Sequence, residues 1–506
     1  MPNAFAYLVL FSFPLFAVLL FRLLPLQRAL IWTLLSGHLL LPSSMSVKLP
    51  MLPPIDRSFV PALTALILCA IMAPRQRVTN ELEARLGRQV VFILLAMVLV
   101  TPVFTTLQNT EPLINGRSWL PGLRLYDAFS MISTILVMLI PLWLGLRYLN
   151  TRDGHRALLE AFVISAVVYT FPALLEVRIS PQLHNWIYGY FPHQFAQHIR
   201  NGGFRPVVLL NHGLMVGIYF CIGVISAAVL YREDRRLGTP AWKWLVAMLW
   251  LGATLFLSKS LGALILAIIF AAAVLFLSRR LQIALGVVLA AIVMFYPMLR
   301  GAGLIPVDAV HDFALSISEE RAASLKFRLD NEDALLAHAM EKPLVGWGSW
   351  GRNHLYDPVD GRMISTTDGI WIIFIGVFGW IGYIGRFGLL TAPILFFALR
   401  QRQLGTSLIT PGLIMVLAAN LIDLLPNAGL VNYVWLIAGA IIGFVLWREP
   451  DDAADVAGSA GAMGKTRAAW LMPEDAAPVR DSRKDPGRDA AMNFRPGRVP
   501  RRMIER

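Results

Sequence analysis

Leu251-Gly-Ala-Thr-Leu-Phe-Leu-Ser-Lys-Ser-Leu-Gly-Ala-Leu-Ile-Leu-Ala-Ile-Ile-Phe270 has a single polar interruption, Ser258-Lys259-Ser260, between two apolar runs. The runs extend to roughly 242–258 and 261–278, about the length a helix needs to cross a hydrocarbon core of ~30 Å. A helix in lipid satisfies its own backbone hydrogen bonds, so the stretch predicts a helical hairpin with a cation at its tip. The pattern recurs along the chain. Further spans are expected near 5–24, 28–42, 58–74, 89–107, 125–146, 157–176, 207–231, 281–298, 369–399, 409–425 and 430–447. The fold class read from this pattern is all-α, a polytopic transmembrane bundle of about 12–13 spans.

Composition agrees. Of 506 residues, 57% are hydrophobic and only 15% charged, and the mean hydropathy is +0.61. Soluble domains carry far more charge. The net charge of +13 does not point to nucleic acid, because the basic residues gather at span ends. They fall in alternate connections: Arg22 and Arg28; Arg75, Arg77, Arg85 and Arg88; Arg147, Arg152 and Arg156; Arg232, Arg235, Arg236 and Lys243; Arg279 and Arg280; Arg400 and Arg402. The positive-inside rule makes that side cytoplasmic. The connections near 43–57, 108–124, 177–206 and 300–367 then face the opposite side. The first apolar run contains Arg22 and lacks a small-residue cleavage site, so no cleavable leader is expected. Cys69 and Cys221 lie inside apolar runs and read as packing residues, with neither a disulfide framework nor a zinc motif.

The run 369–399 is long for one span. Gly376, Gly379, Gly382, Gly385 and Pro393 predict a kinked or partly re-entrant helix there. After Trp447 the chain turns rich in Ala, Gly, Pro, Asp and Arg, which predicts a disordered cytoplasmic tail over 448–506.

The largest polar surface is the insert 300–367. Its segment 319–341 reads as a helix, ended by Pro343. Arg321 and Arg328 lie seven residues apart, on one face with Leu325 and Glu332, and two guanidinium groups on one face suit a pyrophosphate. The plainer alternative is a solvated helix with an Arg328–Glu332 pair. His338, on the same helix, is a candidate proton shuttle or a structural residue. Pro343-Leu-Val-Gly-Trp-Gly348 is a glycine-rich turn whose amides suit an anion, or else an interfacial turn without a ligand. Arg352 and His354 follow as candidate substrate contacts. Asp368, just before the apolar run, is a candidate general base for a hydroxyl and equally a helix cap. Outside the insert, Arg205 stands at a span edge, with Asn211 and His212 further into the span, where polar groups mark a cavity or partner. Lys259 suits an anionic lipid headgroup, or sits in a simple tight turn. Asp423 and Asn427 read as caps or cavity-lining groups.

Several of these pieces together resemble the O-antigen ligase and polymerase superfamily. They are Arg205 before a span with Asn211 and Gly213, the Ser258–Gly262 hairpin, Ser324-Leu-Lys-Phe-Arg328 upstream of Pro343-Leu-Val-Gly-Trp-Gly348, and Asp368-Gly-x-Trp with Gly379-Trp-Ile-Gly382. The likeness spans roughly 200–445. The resemblance implies a bacterial inner-membrane, GT-C-like inverting glycosyltransferase. Such an enzyme moves a glycan from an undecaprenyl-pyrophosphate donor to a sugar hydroxyl on the periplasmic side, with a glycan or lipid A-core acceptor. It implies a glycosyltransferase-like domain over 1–447 with a periplasmic loop at 300–367. It implies no metal and no cofactor, and Arg205 and Arg328 as the pyrophosphate-holding residues. Partners implied are membrane lipid and other polysaccharide assembly proteins. Ligases of the superfamily carry His where this chain has Thr367-Asp368-Gly369, which favours a polymerase or a ligase with Asp368 as base. Two other classes stay open: a transporter or flippase of an anionic glycolipid, and a non-catalytic subunit of an envelope pathway. Few charges lie deep in the spans, which favours an interfacial enzyme over a transport path.

Overall fold

The computed structural model describes residues 1–49, 52–72, 82–200, 202–317 and 319–447. The expected tail at 448–506 and the basic connection with Arg75 and Arg77 lie outside the described residues. Within the described residues there are sixteen α-helices. Before the central span come α1 (Ala4–Leu23), α2 (Leu26–Leu40), α3 (Phe59–Met72), α4 (Leu82–Leu107), α5 (Leu125–Tyr148), α6 (Arg152–Ile179) and the short α7 (Leu183–Tyr188). Then follow α8 (Gly213–Leu237), α9 (Trp242–Leu257), α10 (Leu261–Phe276) and α11 (Arg279–Gly301). The insert holds α12 (Val307–Ile317) and α13 (Glu319–Ala339), and the bundle closes with α14 (Ile370–Arg400), α15 (Ile409–Asp423) and α16 (Asn432–Leu446). Three short antiparallel strand pairs sit in the connections.

Each expected span coincides with a helix. Seven of them, α1, α4, α5, α6, α8, α11 and α14, are long and apolar enough to cross a membrane. The protein is thus a helical, multi-pass membrane protein. Outer faces of α4, α9, α10 and α11 expose Phe92, Ile93, Leu249, Phe256, Ile268 and Phe295, a cost in water that lipid removes. At the centre stands α8, buried almost end to end and packed by α6, α9, α10 and α15.

Two expectations change. The span placed at 207–231 begins only at Gly213, because residues 206–212 are held as a loop. The buried Glu176 carboxylate of α6 accepts the Val207 and Val208 amides, both at 2.7 Å, and Tyr169 Oη accepts that of Leu209 at 3.0 Å. Val208 adopts φ 54°, incompatible with helix. Asn211 and His212 therefore precede the helix instead of lying within it. His212 is its N-cap, and its Nδ1 accepts the Leu214 amide at 3.0 Å.

The second change concerns α14 and the glycine-rich turn. As expected, α14 is broken, with Gly379 at φ 61° and ψ −166°. A side chain at Gly379 would collide with the Leu344 and Val345 backbone. Into this break fits Pro343–Gly348. Pro343 O accepts Trp380 N–H at 2.7 Å and Leu344 O accepts Ile381 N–H at 3.1 Å; in return Trp347 and Gly348 N–H donate to Gly376 and Val377 O at 2.8 and 3.0 Å. From α4, Thr105 Oγ1 donates to Val345 O at 2.6 Å and Asn109 Nδ2 to Gly346 O at 3.0 Å. The turn's amides at Trp347 and Gly348 thus satisfy a broken helix in place of an anion.

Candidate functional site

A cavity of about 230 Å³ opens beside the start of α8, lined by Arg200, Arg205, Leu214, Lys259, Leu261, Gly262, Leu325 and Arg328. Three of its four cations are those picked from the sequence, drawn from three separate segments. Arg205 follows the strand pair Ile199–Arg200 and Gly203–Phe204, and its amide donates to His198 O at 2.8 Å. Its stem packs over Gly213, where no Cβ blocks it. Lys259 sits at the α9–α10 tip at φ 53°, in the left-handed region that only a tight turn justifies. Its Nζ donates to Arg200 O at 2.9 Å, while Arg205 Nη2 donates to Lys259 O at 3.2 Å. Arg328 comes from α13. Arg200 was missed, since only strand pairing turns it toward the others.

Arg328 does not pair with Glu332. Its Nε lies 3.6 Å from Asp368 Oδ2. Asp368 is not the cap of α14 either: Gly369 holds that position without a side-chain bond, and the Ile370 amide is taken by Leu424 and Asn427 carbonyls. Asp423 and Asn427 bond each other at 2.9 Å.

Glu332 faces a second cavity, of about 200 Å³, which shares Leu325 and Arg328 with the first and adds Tyr296, Ile305, Val307, Leu329, Leu425 and Pro426. The Glu332 carboxylate accepts Trp371 Nε1–H at 3.3 Å. Burial pushes its carboxyl up to about 7, with Asp368 and Asp333 adding to the rise and Trp371 and Arg300 opposing it. A carboxyl that titrates near neutrality beside a cavity is the usual signature of acid–base work. The sequence placed Glu332 on the right helix face but not in this setting, because its surroundings come from α11, α14 and the connection after α15.

Other candidates fall elsewhere. Arg352 is 2% exposed, and its guanidinium donates to Trp347, Pro121 and Glu111 carbonyls at 3.2, 2.9 and 3.1 Å. It ties the insert to the 108–124 connection and does not line the cationic cavity. His338 stacks on Trp347, centroids 4.4 Å apart, and its Nδ1 lies 3.5 Å from Glu341; it braces the turn that fills the α14 break. His354 bonds Ser365 Oγ at 3.1 Å, and burial lowers its basicity. Asn211 Oδ1 is buried and meets no donor among the described residues. The Arg321 side chain lies outside the described residues.

Fold and site together define a multi-pass helical membrane protein with a cation-lined chamber at one end of its central helix. Compared with family models and with curated proteins, the chain matches none.

Proposed function

We propose that the protein is a membrane glycosyltransferase of the O-antigen ligase and polymerase kind. It transfers a glycan from a lipid-linked pyrophosphate to a sugar hydroxyl at the periplasmic face of a bacterial inner membrane. The observation that carries this reading is the convergence of Arg200, Arg205, Lys259 and Arg328 on one cavity. At about 230 Å³ it suits a diphosphate head rather than a whole glycan, being smaller than the roughly 300–1,000 Å³ of ordinary ligand sites. Leu214, Leu261 and Leu325 form an apolar wall suited to the lipid side of such a donor. In this reading the five shorter apolar helices, α3, α9, α10, α15 and α16, together with α2, complete a thirteen-span bundle.

The chemistry asks for little else. Attack of a hydroxyl on the anomeric carbon breaks the bond to the pyrophosphate, and guanidinium groups take up the charge that develops on the leaving group. The hydroxyl proton needs an acceptor. Asp368 is held against Arg328, on the leaving-group side. Glu332 lies in the neighbouring cavity, and inversion asks for a base across the anomeric carbon from the leaving group. Glu332 therefore fits the base role better, with Asp368 orienting Arg328.

The test is glycan profiling in cells lacking their own copy, complemented with wild type, Arg328→Ala, Glu332→Gln or Asp368→Asn at matched membrane levels. Single repeat units left on the lipid carrier mark a polymerase; full-length polymer left there marks a ligase. Normal glycan from all three variants would sink the reading and favour a transporter or scaffold.

A further inference from the structure

Beside the cationic cavity lies a group that the reaction above leaves unused. We propose that His193, His198 and His212 form a three-histidine site for a divalent transition ion of the zinc type. Their candidate ligand nitrogens all lie within 4.8 Å of one another. An ion with bonds of about 2.1 Å holds ligand nitrogens up to about 4 Å apart, so closure asks for shifts of under about 1 Å. The three rings already face one another, with centroids 4.7 Å apart for His193–His212 and for His198–His212 and 5.9 Å for His193–His198.

A second observation points to a ligand. His198 is fully buried, and neither of its ring nitrogens meets a hydrogen-bond partner among the described residues. Buried imidazoles are otherwise hydrogen-bonded. All-imidazole ligation selects zinc-type ions over magnesium or calcium, which need oxygen. His193 is exposed and gives the ion its way in. Three protein ligands leave one coordination position open. Loading trades the Leu214–His212 capping bond for a metal–nitrogen bond.

The position gives the site a purpose. His198 and His212 bracket the segment that carries Arg200 and Arg205, so an ion would pin both ends of the loop supplying two of the cavity's cations. The metal site itself stands without the glycosyl-transfer reading; only its expected effect on that activity rests on it.

The experiment is metal titration of the full chain in detergent, stripped with chelator and re-equilibrated with Zn²⁺, Co²⁺ or, as control, Mg²⁺. Wild type should bind about one Zn²⁺ or Co²⁺ per chain, the Co²⁺ form showing the visible bands of tetrahedral coordination, with Mg²⁺ silent. His198→Gln should weaken binding by about 100-fold. His193→Ala, at an exposed ring that does not threaten folding, should do the same and decides the matter if His198→Gln fails to fold. Absence of saturable Zn²⁺ and Co²⁺ binding in wild type, or equal binding in wild type and His193→Ala, overturns the proposal. Loss of glycan transfer in Arg328→Ala bears only on the function proposed above.

Discussion

At the C-terminal end of α8, Arg156 meets Asp234 and Glu160, each at 2.9 Å, and Arg236 meets Glu233 at 3.0 Å. Arg232 donates to the last carbonyls of α10. At the N-terminal end of the same helix, Arg200, Arg205, Lys259 and Arg328 surround a cavity with no carboxylate among its described lining residues. The first end uses its charge to close helix termini and tie connections together. The second gathers four cations on one space, with Asp368 beside Arg328 and backbone carbonyls accepting from Lys259 and Arg205. Positive charge at the two ends thus has two physical roles, and the number of carboxylates beside it tells them apart.

The largest expected effect breaks the comparison at the cavity end. Arg328→Ala or Arg205→Ala should cost about 10²–10³ in transfer rate, read by lipid-carrier consumption in membranes, with little change in thermal unfolding. A threefold drop or less would remove the distinction. Next comes the paired end. Asp234→Ala strips a buried carboxylate from Arg156 and from Trp244 Nε1, which donates to it at 2.8 Å. It should cost about 2–4 kcal/mol of stability, seen as a lower unfolding temperature in detergent, with transfer per folded molecule unchanged.

A smaller effect comes from Glu332. With its carboxyl raised to about 7, transfer should climb as pH rises from 6 to 8, and Glu332→Gln should flatten that climb at a reduced rate. The stability sign is opposite: the folded state holds this proton more tightly than the unfolded chain, so its contribution is full below the ordinary carboxyl range and is lost as pH rises through about 7. The smallest effect belongs to Arg235, exposed and near the Tyr231 ring. Arg235→Ala should change stability by under about 0.5 kcal/mol and leave transfer alone, a control for charge loss as such.

The helices were legible because an apolar run of span length has one outcome in lipid. The start of α8 was not, since the Glu176 carboxylate that holds residues 207–208 out of the helix lies in a different span. Arg205, Lys259 and Arg328 could be picked singly by type and position. What sequence lacked was any sign that Arg352 is consumed by three backbone carbonyls while Arg200 is turned toward the cavity. Both depend on pairing with chain far away. His193 and His198 escaped notice, and His212 was picked only as a polar group near Arg205, because two of the three sit in an irregular connection and one caps a helix, a spacing that matches no metal motif.

The break at Gly379 also bears on the order in which the protein is made. Synthesis runs from N- to C-terminus, so Pro343–Gly348 leaves the ribosome before α14 does. The segment that will fill the break already exists when Gly376, Val377, Trp380 and Ile381 enter the membrane, where their bare backbone groups are most costly. An α14 released without the preceding insert would arrive at the bilayer with its own repair missing.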